Sequence, residues 1–201
     1  MNAPHPPSTP AASGQPDATA GDAPQAAPDA AAHVPDAVDH IVAQWQREIP
    51  TLAAEHMALI GRLKRCAALI QPRLEAVFAE HGLSAGAFDV LATLRRSGAP
   101  YTLTPTELFD ALMVTSGTMT HRLKNLETQG WIRRLPNPAD ARSLLVQLTD
   151  SGKALIERAV FPHVANEARL LAALPEHTRQ QLNTGLATLL RVLQAPDTGS
   201  T

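Results

Sequence analysis

The segment Thr104-Pro105-Thr106-Glu107 is the feature that most restricts what this chain can become. A hydroxyl residue, a proline at the next position and a glutamate three residues on form a capping box that opens a helix. That helix carries Leu108 and Leu112, breaks at Met113-Val114, and gives way to a second helix starting near Thr115 or Ser116. Gln129-Gly130 closes the second helix, as a helix C-terminus favours glycine. Two helices joined by so short a turn, the second opened by small polar residues, follow the helix-turn-helix plan. On the N-terminal side, Ser84 to Ser97 reads as a helix with Phe88, Leu91 and Leu94 inward, stopped by Gly98-Ala99-Pro100. Arg95 and Arg96 fall in its last turn, where cations suit the helix dipole; a phosphate contact is the other reading of them. Tyr101-Thr102-Leu103 reads as a short β segment. On the C-terminal side, Trp131 to Leu135 and Leu144 to Leu148 alternate like strands around a turn-rich loop, a β-hairpin.

The second helix of the pair can be read by angle, at about 100° per residue. Met119, Leu123 and Leu126 share one face and are expected to be buried. Ser116, Gly117, Thr118, Thr120, His121, Lys124 and Asn125 occupy the flanks and the opposite face, with no acid before Glu127. Hydroxyl, imidazole, amide and ammonium groups can bond base edges or phosphates, whereas a carboxylate would be repelled. An ordinary surface helix usually mixes Glu with Lys. The net charge of the chain is −2, but from Met113 to Thr149 five basic residues (Arg122, Lys124, Arg133, Arg134, Arg142) face two acids, Glu127 and Asp140. Arg142 sits at the hairpin tip, suited to a narrow minor groove, with Asp140 close enough to orient it. A plain surface ion pair is the bland reading of those two residues.

Long helices flank this middle. Ile60, Leu63, Ala67, Ile70, Leu74 and Val77 recur at alternating steps of three and four, an amphipathic stripe in a helix read from about Thr51. Pro72 should kink this helix and Pro162 bend a later one. Pro50 separates a shorter helix, about Asp36 to Glu48, that carries Trp45. Thr149 is a good N-cap for another long helix running towards Leu174, and Leu182, Leu186, Leu189 and Leu193 mark a last one. These stripes exceed what the small middle can cover. A two-fold helical dimer interface solves that economically; a monomeric bundle is the competing solution. The expected class is therefore mainly α with a small β wing: a winged helix-turn-helix with long N- and C-terminal dimerisation helices.

Residues 1–35 hold 8 of the 17 prolines and no Lys or Arg, and are read as a disordered Ala/Pro-rich tail. Residues 36–195 form the domain, its DNA-binding part about 84–149, and 196–201 are a second short tail. The tail lacks the cationic start and apolar middle of a secretory signal, and no apolar run spans a bilayer, so a cytoplasmic protein without membrane partners is expected. The single cysteine, Cys66, excludes an internal disulfide and a cysteine zinc cluster. Beside Lys64 and Arg65 it could serve a redox sensor, but it has no resolving partner, and helix packing accounts for it. The eight histidines show no metal spacing, and no phosphate loop, nucleophile elbow or paired catalytic carboxylates occur; no enzyme, metal or cofactor is expected. Three functions stay in view: a ligand-responsive DNA-binding dimer, a winged helix used only for protein contacts, and a redox sensor on the same scaffold.

From Asp36 to Gln194, and most specifically in Leu103 to Leu155, the sequence resembles the MarR family of bacterial transcriptional regulators. Asp140-Ala141-Arg142-Ser143 matches one form of that family's wing motif. The resemblance implies homodimers on pseudo-palindromic double-stranded DNA and small aromatic anion effectors. It lies nearest the urate-responsive branch, whose ligand residues fall on Trp45, Asp89, Arg122 and Arg134. The residues themselves leave this open. Arg122 lies about 60° from Met119, at the margin of the buried face, and Asp89 sits in a largely apolar helix where a buried carboxylate would want a cation. A surface Asp89 and two phosphate-gripping arginines satisfy the same facts.

Overall fold

The computed structural model describes residues 34–112, 119–140 and 142–195. Its elements in chain order are α1 (Ala37–Glu48), α2 (Glu55–Glu80), α3 (Ala85–Arg96), β1 (Thr102–Leu103), α4 (Pro105–Ala111), α5 (Met119–Thr128), β2 (Ile132–Pro136), β3 (Leu144–Leu148), α6 (Asp150–Leu171) and α7 (Glu176–Gln194). This is the mainly helical winged architecture expected. The sheet is antiparallel in the order β1-β3-β2, with Arg134 opposite Val146 and Thr102 opposite Gln147. The isolated β segment expected at 101–103 is thus the third strand of the wing sheet.

Local chemistry sets the boundaries. Ser84 accepts from the Ala87 N–H at the start of α3, and Thr149 accepts from the Gly152 N–H at the start of α6. At α4 both halves of the capping box are made, Glu107 N–H to Thr104 Oγ1 at 3.2 Å and Thr104 N–H to Glu107 Oε2 at 2.8 Å. α2 and α5 end on glycine at positive φ, Gly82 at 68° and Gly130 at 72°. Each carries the paired closing bonds of a Schellman turn: Leu83 to Phe78 with Gly82 to Ala79, and Trp131 to Leu126 with Gly130 to Glu127.

Some expectations shift. The second helix begins at Glu55 rather than Thr51, because the chain first turns through Leu52→Ile49 and Ala54→Leu52 main-chain bonds that bury Ala54. α6 ends at Leu171, and Leu174 lies in the turn beyond it, bonded to the Leu171 carbonyl. Pro72 and Pro162 both lie inside continuous helices.

One core holds the middle together. Phe78 of α2, Phe88, Leu91 and Leu94 of α3, Leu108, Leu123, Leu126, Ile132, Val146 and Ile156 are all buried in it. The helical arms are different. Of the α2 stripe only Val77 is buried; Ile60, Leu63 and Ile70 are exposed in the single chain. No residue of α7 is buried, and Leu182, Leu186 and Leu193 lie open. α1 is fastened to α2 by Arg62, which donates to Asp36 at 2.8 Å and Asp39 at 2.5 Å. That guanidinium, first among several bonds, holds the Asp36 carboxyl below its ordinary range.

Candidate nucleic-acid interface

α4 and α5 stand as the two helices of the expected pair. Leu108 secures α4 in the core, while Leu123 and Leu126 secure α5, with Met119 partly buried beside them. Burying that face turns Thr120, His121, Lys124 and Asn125 outward, and all four are exposed. His121 Nε2 and Asn125 Nδ2, one turn apart, lie 3.1 Å from each other. Two further candidates, Ser116 and Thr118, and the expected start of this helix lie outside the described residues.

The wing loop between β2 and β3 is organised by side chains acting on the main chain. Asn137 Oδ1 accepts from the Ala139 N–H at 3.0 Å, and Asn137 Nδ2 donates to Ser143 Oγ at 2.7 Å. Asp140 Oδ1 accepts from the Arg142 N–H at 3.0 Å. The contact given for Asp140 is therefore with the backbone of residue 142, an Asx turn that shapes the tip. Arg142 is exposed there. A cavity of ≈ 640 Å³ opens between α4, α5 and the wing, lined by Thr104, Phe109, Thr120, Arg134 and Arg142 among others.

The four candidate effector residues fall in different places. Arg122 lies partly buried at the edge of α5, and a Cβ built on Gly86 of α3 would overlap its guanidinium. The bare backbone of Gly86 is thus the seat on which Arg122 rests. Asp89, one turn along α3, is held above its ordinary pKa by burial, against the opposing pull of Arg122, then His163 and Arg96. The structure brings Asp89 and Arg122 into one electrostatic neighbourhood. Arg134 contacts Glu127 across 3.3 Å, and its buried Nε makes no hydrogen bond. It lines the wing cavity, whereas Arg122 lines a separate hollow of ≈ 630 Å³ with Ser84, Ala87 and Trp131. Trp45 is exposed on α1 and lines neither. Within one chain, then, Arg122 and Arg134 line separate hollows.

Sequence reasoning missed three participants. Gly86 carries no sign of its role in the sequence, because only the fold brings Arg122 onto it. His163 read as one of several scattered histidines. It packs against Phe78 and Phe88, centroids 5.1 and 4.7 Å away, and its Nε2 lies 3.2 Å from Glu167. Arg96 read as a helix-dipole cation, yet it reaches α4. Among the described residues no group of three His, Cys, Asp or Glu could hold a metal ion, and no helix is long and apolar enough to cross a membrane. Cys66 is exposed on α2.

Comparison with known proteins follows this geometry. The MarR family model matches residues 83–144, which run from the start of α3 into β3. The transcriptional regulator PecS of Dickeya dadantii is 48% identical over 142 residues, covering 71% of this chain and 86% of PecS. The multiple antibiotic resistance protein MarR of Escherichia coli is 41% identical over 76 residues, 38% of this chain and 51% of that protein. Among solved structures, a mutant of E. coli MarR complexed with operator DNA aligns with a TM-score of 0.58 at 29% identity, covering 73% of this chain and 97% of that one. A MarR family regulator of Streptomyces coelicolor in complex with DNA shares the fold at a TM-score of 0.63 and 23% identity, over 74% of this chain and 93% of that one. With the helix pair, the wing and nearly half-identity across most of PecS, the chain belongs to the MarR family of transcriptional regulators.

Proposed function

We propose that the protein is a homodimeric repressor that binds a pseudo-palindromic operator through α5 and the wing and is released by a small aromatic anion, urate or a related purine. The observation that carries the DNA reading is the exposed, acid-free face of Thr120, His121, Lys124 and Asn125 beside an exposed Arg142. No carboxylate stands among these four positions of α5, and their donors suit base edges and backbone. The similarity to a regulator solved with operator DNA supports the same reading. The dimer is supported by the apolar faces of α2 and α7, whose exposed Ile60, Leu63, Ile70, Leu182, Leu186 and Leu193 need a cover that the described residues of one chain do not supply. With a two-fold axis, half-sites would repeat about one helical turn apart. The effector reading rests on Asp89 and Arg122. A half-buried carboxylate and a guanidinium seated on Gly86 form a charge balance that an incoming anion would disturb, and Arg122 belongs to the DNA-facing helix.

The test is fluorescence anisotropy with duplexes from the protein's own promoter region, over a range of salt and with urate added. Affinity falls steeply with salt as cations displace counterions, and urate weakens DNA binding by the factor by which DNA weakens urate binding. Trp45→Phe and Asp89→Asn reduce the urate response. A folded dimer that ignores its promoter at low salt overturns the DNA reading. Wild-type urate response in both variants overturns the effector site alone.

A further inference from the structure

Along α3 one polar line interrupts the core. Asp89, Thr93 and Arg96 follow at intervals of four and three and share a face of the helix. Thr93, in the middle, is 4% exposed and stands apart from the apolar residues buried around it. At one end of the line, Arg122 of α5 rests on Gly86 and acts electrostatically on Asp89. At the other end, Arg96 Nη2 donates to Thr93 Oγ1 at 3.1 Å and to the main-chain carbonyl of Ala111.

Ala111 is the last residue of α4, and Leu112 after it is extended at φ −73°, ψ 138°. A helix leaves its last four carbonyls without intrahelical donors. α4 has no basic residue in its own last turn, so Arg96 of a different helix supplies the donor. This point is where the chain leaves the first helix of the pair and heads for the second. Holding the Ala111 carbonyl fixes where the first helix of the pair stops.

We propose that Arg96 is a positioning residue for DNA reading: it clamps the C-terminal carbonyl of α4 onto α3 and thereby sets the position of α5 against the core. This rests on the DNA-binding reading above. The line Asp89–Thr93–Arg96 places the clamp on the helix face that carries the Asp89 carboxyl, so the two ends of the helix pair are held by one helix. A direct phosphate contact by Arg96 is a different role, and the salt dependence separates the two.

The experiment compares the wild-type protein with Arg96→Ala and Arg96→Lys by anisotropy on a promoter duplex and on a scrambled duplex, at several salt concentrations. Urea unfolding and amide hydrogen exchange are followed without DNA. For Arg96→Ala the specific-to-non-specific affinity ratio falls about tenfold, the slope of log K against log salt stays unchanged, and the Leu112 amide exchanges faster. Arg96→Lys, which keeps one donor, recovers part of the ratio. A retained ratio overturns the proposal, as does a slope shallower by about one with the ratio unchanged, the signature of a lost phosphate contact. If Arg96→Ala unfolds, Arg96→Lys and its Leu112 exchange decide: a lowered ratio and faster exchange support the clamp, and wild-type values overturn it. Failure of the wild-type protein to prefer its promoter overturns the DNA reading itself, independently of the Leu112 exchange.

Discussion

Replacing Gly86 by alanine would separate the seat of Arg122 from the stability of the fold. The new Cβ would overlap the guanidinium. What it meets is the far end of a long flexible side chain, so Arg122 moves and the backbone does not. Alanine in place of a helical glycine contributes about 0.5–1 kcal/mol. The displaced Arg122–Asp89 attraction, in a half-exposed setting, removes about as much. The two nearly cancel, and urea unfolding is expected to show a change within about 1 kcal/mol, or a few degrees in Tm for a chain of this size. The Asp89 carboxyl is the local reporter. Burial pushes its pKa up and Arg122 is the first of three groups pulling it down. With the guanidinium displaced, its midpoint rises, read by carboxyl carbon NMR across a pH titration. An unmoved midpoint would refute the seating of Arg122 against α3. A loss of about 1–3 kcal/mol or more would refute the claim that the guanidinium can yield, since that is the cost of a rigidly overpacked site.

The other expected outcomes follow from the same structure. Gly152→Ala drives its Cβ into the Trp131 main-chain carbonyl, which cannot swing away, and is expected to cost about 1–3 kcal/mol in urea unfolding, in contrast to Gly86→Ala. Arg142→Ala, at an exposed tip, leaves the unfolding midpoint unchanged and weakens operator binding by about 1–3 kcal/mol in an anisotropy titration. Asp89 has a folded pKa raised above 3.8, so its contribution to stability is present below that value and is lost as pH rises through the folded midpoint. Asp89→Asn therefore flattens the stability–pH curve above pH 3.8, checked by urea unfolding at successive pH values. Deleting residues 1–35, which offer almost no large apolar side chains, leaves stability and DNA affinity intact by the same two assays.

Much of the frame was legible because its signals are local. Ser84, Thr104 and Thr149 each announce a helix through a hydroxyl that caps the main chain three residues on, and Gly130 announces an end through positive φ. The alternation of 132–136 and 144–148 marks the wing because each side chain reports its own face. Contacts between distant segments are another matter. Nothing in the neighbourhood of Gly86 points to Arg122, and nothing around Arg96 points to the Ala111 carbonyl; both contacts depend on where separate helices cross. The reading of Asp140 as an orienter of the Arg142 side chain placed the right residues together, but a carboxylate two residues before an N–H reaches the backbone more readily than a flexible guanidinium. The start of α2 slipped because Leu52 and Ala53 extend the apolar pattern, while the turn that ends at buried Ala54 leaves no periodic trace.

The junction of α5 with α6 has a mechanical consequence. The Gly130 carbonyl, just past the end of α5, accepts from both Thr149 Oγ1 at 2.7 Å and Ser151 Oγ at 2.9 Å, and the Thr149 N–H donates to the Trp131 carbonyl at 3.1 Å. Gly152 lies so close to that same carbonyl that no side chain fits between them. The tail of α5 and the first turn of α6 are therefore welded together, and α6 becomes a lever whose short end carries α5. Its 22 residues make an arm of about 33 Å. A tilt of about 5° in such an arm swings its far end by about 3 Å. A displacement near Leu171 reaches α5 through this weld as well as through the core that Leu155, Ile156 and Ala159 of α6 enter.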